Sequence, residues 1–393
     1  MRFILRTTLI AALAALTWIV ALDTLARAAQ ASGTDYFVYF GTYTRGPSKG
    51  IYGYRFEPAA GKFTPLGLAG ETPNPSFLAV HPSGRFLYAA NEHEEGDGPG
   101  KNNSVSAFAV DQTTGKLTFL NKVSSRGEGP CHVSVDKTGK TLLVANYGSG
   151  SVAALPIQAN GRLGDVAGFD QHQGKSVDPA RQMGPHAHFI TPSPDNRFAL
   201  AADLGLDKVS VYRFDPSKAG LVPNDPPFAM VRPGAGPRHL TFDPTATHVY
   251  VNGEMGSIVS AFTWDAKAGV LKEFQTISTL PTGFTGTSST AEIQIDRAGR
   301  FLYVSNRGHD SIAMFAVDKA SGRLTAAGHV PTGGKTPRYF TLDPTGAYLL
   351  AGNQASSTVS IFRVDAGTGA LTPAQTLSDV PEPVAMAFVP VKR

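Results

Sequence analysis

Arginines, histidines and glutamates recur at fixed places in a phrase that this chain repeats. The clearest copy, PRHLTFDPTATHVYVNGE, opens on Arg238 and His239 and closes on Glu254. Equivalent opening positions hold Ser76, Cys131, His188, Ala291, Arg338 and Val384, and the positions after them hold Phe77, His132, Phe189, Glu292, Tyr339 and Ala385. Closing positions hold Glu92, Tyr147, Leu204, Arg307, Gln354 and, near the N-terminus, Thr42. Brought to one place, two or three of these arginines hold a carboxylate or phosphate by charge-assisted, often bidentate hydrogen bonds. A histidine beside a glutamate serves as a general base with its orienter, or as an acid–base pair. The set suits a small anionic molecule.

The elements that must gather these residues follow from the repeat. Copies begin at Pro75, Pro130, Ala187, Pro237, Thr290 and Pro337, a spacing of roughly 45–57 residues that falls near propeller blades and solenoid repeats. Within each copy apolar residues alternate with period two, the signature of strands. In the copy from Pro237 the expected strands cover 239–243, 248–252, 258–265 and 270–276. The third strand recurs as SVSAFAVD, KVSVYRFD, SIAMFAVD and TVSIFRVD, each followed by a Gly-containing turn. Four antiparallel strands make one propeller blade.

The chain ends supply one more blade in two pieces. PVAMAFVP near the C-terminus is a first strand alone, while YFVYFGTY, GIYGYRFE and a run from Lys62 are the three strands it lacks. Joining them closes a ring of seven and removes the exposed edges of an open array. A solenoid would need distinct capping repeats, which the sequence does not show. The expectation is an all-β, seven-bladed β-propeller over residues 35–393. Because the first strand descends beside the axis and the second climbs back, opening and closing positions are expected on one face.

Composition agrees with this reading. A chain with 42 Gly, 28 Pro and 42% hydrophobic residues is turn-rich and core-forming rather than disordered. The formal charge is only +4 and no Lys/Arg cluster stands out, so no nucleic-acid partner is expected. Residues 1–6 are basic, 7–22 are apolar, and Ala26 and Ala28 form an Ala-x-Ala site. This pattern predicts a signal peptide over residues 1–28 and export to the periplasm or medium, with an uncleaved anchor as the alternative. Nothing later in the chain reads as a membrane span. Cys131 is the single cysteine, so no internal disulfide can form. Two polar stretches, 93–103 and 171–183, interrupt the repeat and read as loops.

Each candidate also has a structural reading. His186 and His188 share one face of a strand, but no nearby set completes a metal site, and no metal is expected. His132 and His239 read equally as hydrogen-bonded histidines of the channel wall. Arg307 and Arg338 could latch blades together through Glu254 and Glu292. Asn91, Asn146, Asn306 and Asn353 read as turn residues bonding local backbone. Trp264-Asp265 is solitary, which excludes a Trp-Asp repeat array. Residues 148–150 lie between strands, so they form no phosphate loop. No Gly-x-Ser-x-Gly elbow with a strand-to-helix context is present.

Taken in order, FGTYT at Phe40, GPHAH at Gly184, ADLGLDKV at Ala202, GPRHLTFDP at Gly236, AEIQIDRAGRFLYVSNRG at Ala291 and the PRYF…NQ pair from Pro337 resemble a known family. It is that of the seven-bladed propeller lactonases, which include bacterial propeller-type 6-phosphogluconolactonases and the fungal carboxymuconate lactonizing enzyme. The likeness spans essentially all of the chain after the leader. It implies catalytic roles for His188, Arg238, Glu254 and Arg307. Substrate contacts are expected from His186, His239, Glu292, Arg338 and Gln354, and Asp203 is a further possible member.

The resulting expectation is an exported lactonase that opens a sugar-type lactone. Arg238 and Arg307 would hold the anion and stabilise oxyanion charge, while Glu254 or His188 would activate water. No cofactor is expected, because the leaving group of a ring ester stays tethered. The expected partner is a small anionic lactone or dicarboxylate. Two alternatives stand beside it: a cycloisomerase that interconverts a muconate-type dicarboxylate with its lactone, and a non-catalytic ligand-binding propeller.

Overall fold

Runs such as Phe86–Asn91 (FLYAAN) and Phe198–Asp203 (FALAAD) are buried at every position, which requires cover on both faces of the strand. Neighbouring sheets provide it. The computed structural model describes residues 33–92 and 103–392. The leader expected over 1–28 and most of the insertion expected over 93–103 therefore lie outside the described residues. Among the described residues the strands form seven four-stranded antiparallel sheets. Six are contiguous, with inner strands Pro75–Val80 (blade 1), Pro130–Val135 (blade 2), Ala187–Pro192 (blade 3), Pro237–Phe242 (blade 4), Ser289–Ile295 (blade 5) and Pro337–Leu342 (blade 6).

The seventh blade is the split one. Its inner strand Pro383–Pro390 pairs with Tyr36–Thr42, from Tyr36↔Pro390 to Thr42↔Pro383. Gly50–Glu57 and Lys62–Glu71 complete it. The strand boundaries expected for the copy from Pro237 agree with those observed, Pro237–Phe242, His248–Gly253, Ile258–Asp265 and Val270–Ser278. Closure by this single strand has a measurable consequence. Deleting residues 383–393 should abolish cooperative thermal unfolding and drive the protein into aggregates, because the buried edge of Tyr36–Thr42 would be bared; a sharp melt retained by that variant would contradict the ring.

Apolar clusters fill the spaces between blades. Leu200, Val209 and Val211 of blade 3 meet Val249, Val251 and Phe262 of blade 4 in one cluster. Tyrosines of the second strands add a polar tie to the next blade. Tyr39, Tyr88, Tyr250 and Tyr303 donate to the carbonyls of Gly115, Gly161, Gly322 and Gly369 at 2.9, 3.2, 2.8 and 2.8 Å. These glycines sit in the turns after third strands. Gly161 (φ +83°) shows why: a Cβ there would approach Phe86 to 2.2 Å, and positive φ disfavours other residues.

Asn91, Asn146, Asn306 and Asn353, expected in turns, instead end second strands and are fully buried. Asn91 donates to Thr72 Oγ1 and to the Pro73 carbonyl, and Asn306 to the Thr279 carbonyl. They fasten the incoming inter-blade connection to the blade it enters.

Candidate active site

Each inner strand carries one extra residue near the end that opens the repeated phrase. In blade 4 Pro237 faces Gly253 and His239 faces Asn252, so Arg238 is unpaired. The same slip occurs at Ser76, Cys131, His188 and Arg338, within 290–293 of blade 5, and at Val384 of the split blade. In a regular strand Arg238 and His239 would face opposite sides. A bulge re-aims the extra side chain, so both turn toward the axis.

The result is layered. Deepest lies an aromatic plug, with Phe77 to His132, His132 to Phe189, and Phe189 to His239 at ring distances of 4.1, 4.0 and 4.9 Å. Glu292 bonds to His239 of this plug, and Arg238 lies against both His239 and Glu254, all of them buried. At the top opens a mouth of about 320 Å³ lined by Tyr43, Arg45, Glu92, Tyr147, Arg181, His188, Glu254, Arg307 and Arg338. A larger crevice of about 420 Å³ lies among turns 296–300 and 343–346 between blades 5 and 6. Its Arg300 pairs locally with Asp296, and neither end of the repeated phrase reaches it.

Glu254 organises the mouth. Its Oε2 accepts Arg238 Nε and Arg307 Nη2, each at 2.9 Å, and its Oε1 accepts Arg181 Nη2 at 3.0 Å. Burial alone would raise this carboxyl, but Arg307 and Arg238 hold it well below the usual range. Arg238 is itself pushed down to about 10 by burial and by the charges of Arg307 and Arg338. Its Nη1 donates to the Ala291 carbonyl at 2.7 Å and to His239 Nε2 at 3.2 Å. His239 Nε2 must then accept, which leaves the proton on Nδ1, donated to Glu292 Oε2 at 3.0 Å. Burial pushes Glu292 up to about 8.

His188 lines the mouth with its Nδ1 3.8 Å from Cys131 Sγ and its ring 5.4 Å from that of Tyr147. Burial, then the Arg238 charge, depress it well below the ordinary histidine value, so the imidazole is neutral near pH 7. The opposite ring nitrogen, Nε2, has no hydrogen-bond partner among the described residues. A neutral imidazole at the cavity wall is in the protonation state that can accept a proton.

Several expected contacts fall elsewhere. Arg238 meets Glu254 from beneath and does not line the mouth; Arg307 and Arg338 do. His186 stacks on Tyr147 at 4.5 Å and its Nδ1 lies 2.9 Å from the Tyr147 carbonyl. His239 and Glu292 lie below the cavity, and Gln354, in a short 3-10 turn, is outside its lining. Asp203 is buried against His172 rather than at the mouth. The expected latch forms between Arg307 and Glu254, but Arg338 lies 3.7 Å from Glu92, not against Glu292. Among the described residues no group of three or more His, Cys, Asp or Glu side chains is placed to hold a metal ion.

The closing position of the split blade also needs correction. Thr42 pairs with Pro383 inside the strand and is buried against Ser48. The equivalent of Glu254 is Tyr43, whose hydroxyl donates to Glu92 Oε2 at 2.9 Å. Thr42 faces Pro383 as Gly253 faces Pro237, so it occupies the place before the closing position, where most copies carry Asn. Arg45 and Arg181 were not foreseen. Arg181 belongs to a stretch legible only as a polar loop, and no spacing rule ties it to the repeated phrase.

A closed ring of seven blades with an arginine-lined pocket at one mouth of its axis defines the class of protein. The chain belongs to the family described as "Lactonase, 7-bladed beta-propeller", whose pattern matches residues 37–388. It is similar to the 6-phosphogluconolactonase of Bacillus subtilis, 38% identical over 307 residues that cover 78% of this chain and 85% of that one. A 6-phosphogluconolactonase of Formosa agariphila is 30% identical over 310 residues, 78% of this chain and 86% of the relative. Among solved structures, the periplasmic gluconolactonase PpgL of Pseudomonas aeruginosa superposes with a TM-score of 0.86 at 36% identity, over 91% of this chain and all of that one (100%). The chain is a propeller-class lactone hydrolase.

Proposed function

We propose that this protein is an exported hydrolase of a sugar-type lactone bearing an anionic substituent. The observation that carries the reading is the mouth itself: four arginines stand there against two glutamates, around a neutral His188. The excess positive charge favours an anion, and the activities for which the relatives are named, 6-phosphogluconolactonase and gluconolactonase, favour a gluconolactone-like ring. Residues 1–28 read as a leader, and one similar structure is that of a periplasmic enzyme.

In this mechanism His188 Nε2 takes a proton from water as the oxygen attacks the ring carbonyl carbon. Arg307 and Arg338 stabilise the oxyanion by hydrogen bonds already in place before reaction. The ring C–O bond then breaks, the ring oxygen receives the proton from His188, and a hydroxy acid leaves. Glu254, held ionised by its arginines, is a poor base and serves as their anchor.

His188→Ala should lower kcat by about 10²–10⁴-fold. Because His188 stays neutral, the acidic limb of kcat/KM in the wild type should lie well below pH 6.5. The decisive experiment is stopped-flow hydrolysis of 6-phospho-glucono-δ-lactone, glucono-δ-lactone and a muconolactone in ¹⁸O water. Incorporation of solvent oxygen into a gluconate product supports the proposal. Ring closure of a muconate without added water, or no turnover of any lactone, would sink it.

A further inference from the structure

The connection between blades 2 and 3 runs over residues 172–186, whereas others occupy only 125–129 or 332–336. It is bonded along its length. Buried His172 has Nδ1 2.5 Å from Asp203 Oδ2 and Nε2 2.7 Å from the Tyr212 hydroxyl. Ser176 Oγ donates to Asp207 Oδ2 at 2.6 Å, and buried Gln182 donates from Nε2 to the Leu204 carbonyl at 2.8 Å. Between these anchors Asp178 Oδ1 accepts the backbone N–H groups of Ala180 and Arg181 at 2.7 and 2.9 Å. A long loop made rigid in this way is a platform, and what it carries over the mouth is Arg181.

Arg181 differs from the arginines beneath it. Its side chain is 45% exposed, against 15% for Arg307 and 3% for Arg238. Its Nη2 donates to Glu254 Oε1 and to the Tyr147 hydroxyl, each at 3.0 Å. Glu254 does not depend on it for neutralisation, since two more deeply buried guanidiniums already sit on Oε2. Its own end of the pair with Glu254 is half-exposed and screened by solvent, so Arg181 can turn to another anion at little cost. Its backbone stays fixed while its guanidinium is free to regroup.

Building on the lactonase reading above, we propose that Arg181 is the specificity-determining residue for charge. It pairs with the phosphate or carboxylate substituent of the lactone, remote from the ring ester, and so sets the preference for charged over neutral lactones. Until substrate arrives, Glu254 and Tyr147 hold the guanidinium over the mouth. An incoming phosphate offers it a doubly charged, bidentate partner instead. Arg45, at the rim of the same cavity, adds charge without a comparable platform.

The test compares kcat/KM for 6-phospho-glucono-δ-lactone and for glucono-δ-lactone in the wild-type chain, Arg181→Gln and Arg181→Lys. Arg181→Gln should lower the charged-to-neutral ratio by about 10–100-fold, the loss of one hydrogen-bonded ion contact, and chiefly through KM. Arg181→Lys should recover part of it. A residue that merely positioned Glu254 would depress both substrates alike and leave the ratio unchanged, and that outcome overturns the proposal while the lactonase reading stands. A wild type that hydrolyses neither lactone overturns both.

Discussion

Glu254→Gln should be the most damaging single substitution in the mouth. It leaves Arg238, Arg307 and Arg181 around a neutral group, and stranding buried charges of this kind costs about 3–5 kcal/mol. A melting temperature lower by roughly 4–7 °C is expected by calorimetry, together with a collapse of lactonase activity. The pH response supplies an independent signature. Glu254 has its folded pKa depressed below the reference value of 4.5, so its contribution is present above about pH 4.5 and is lost as pH falls below it. Glu254→Gln should therefore lose stability less steeply than the wild type in that acid range. Buried His132, His188 and His239, all depressed from 6.5, impose a separate loss below about pH 6.5 that the variant keeps. Glu292, raised to about 8, acts in the opposite sense, its contribution fading as pH rises through that value. An unchanged melting temperature in Glu254→Gln would show that the arginines find other partners.

The second large effect separates two arginines to which the sequence assigned one role. Arg307→Met should lower kcat/KM by about 10²–10³-fold, the usual loss for one preorganised oxyanion donor. Its stability cost should be smaller, because Arg238 and Arg181 remain on Glu254. Arg238→Met should do the reverse. It removes the donor to His239, to the Ala291 carbonyl and to Glu254 in one step, so its first reading is in calorimetry, with activity falling only as Glu254 loses its support. If Arg238→Met cost activity tenfold or more with an unaltered melt, Arg238 would touch substrate directly and the assignment to Arg307 and Arg338 would need revision.

These contrasts mark where the sequence was informative. The repeat reported the ring, the blade boundaries and the split closure, because alternating strands, turn glycines and incomplete ends are all local signals. It also placed Arg238, Glu254, Arg307, Arg338 and His188 at one end of the axis, since antiparallel pairing carries the first residue of a hairpin back beside the last. What it did not reveal was depth. Arg238 and Arg338 hold the same place in the phrase, yet one braces Glu254 from below and the other faces the cavity. That difference is set by neighbouring blades, hundreds of residues away in some cases. The closing position of the split blade was misplaced by one, onto Thr42 instead of Tyr43, because Thr42 stands where most copies have Asn and the phrase lacks that marker there. Arg181 escaped notice because it lies on a connection outside the repeat.

The bulges at the tops of the inner strands carry a meaning for how such a protein changes over time. Each extra residue is excluded from the ladder of paired backbone that holds its blade together. Its side chain can therefore be exchanged with little effect on strand register, while the exchange alters the lining or the floor of one shared cavity. Seven blades give seven such sockets, occupied here by Ser, Cys, His, Arg, an Ala-Glu pair, Arg and Val. Apart from the socket of Arg238, whose side chain braces Glu254, the ring separates the task of staying folded from the choice of what to bind. A new ligand calls for new residues at a few sockets, and the scaffold beneath them can remain as it is.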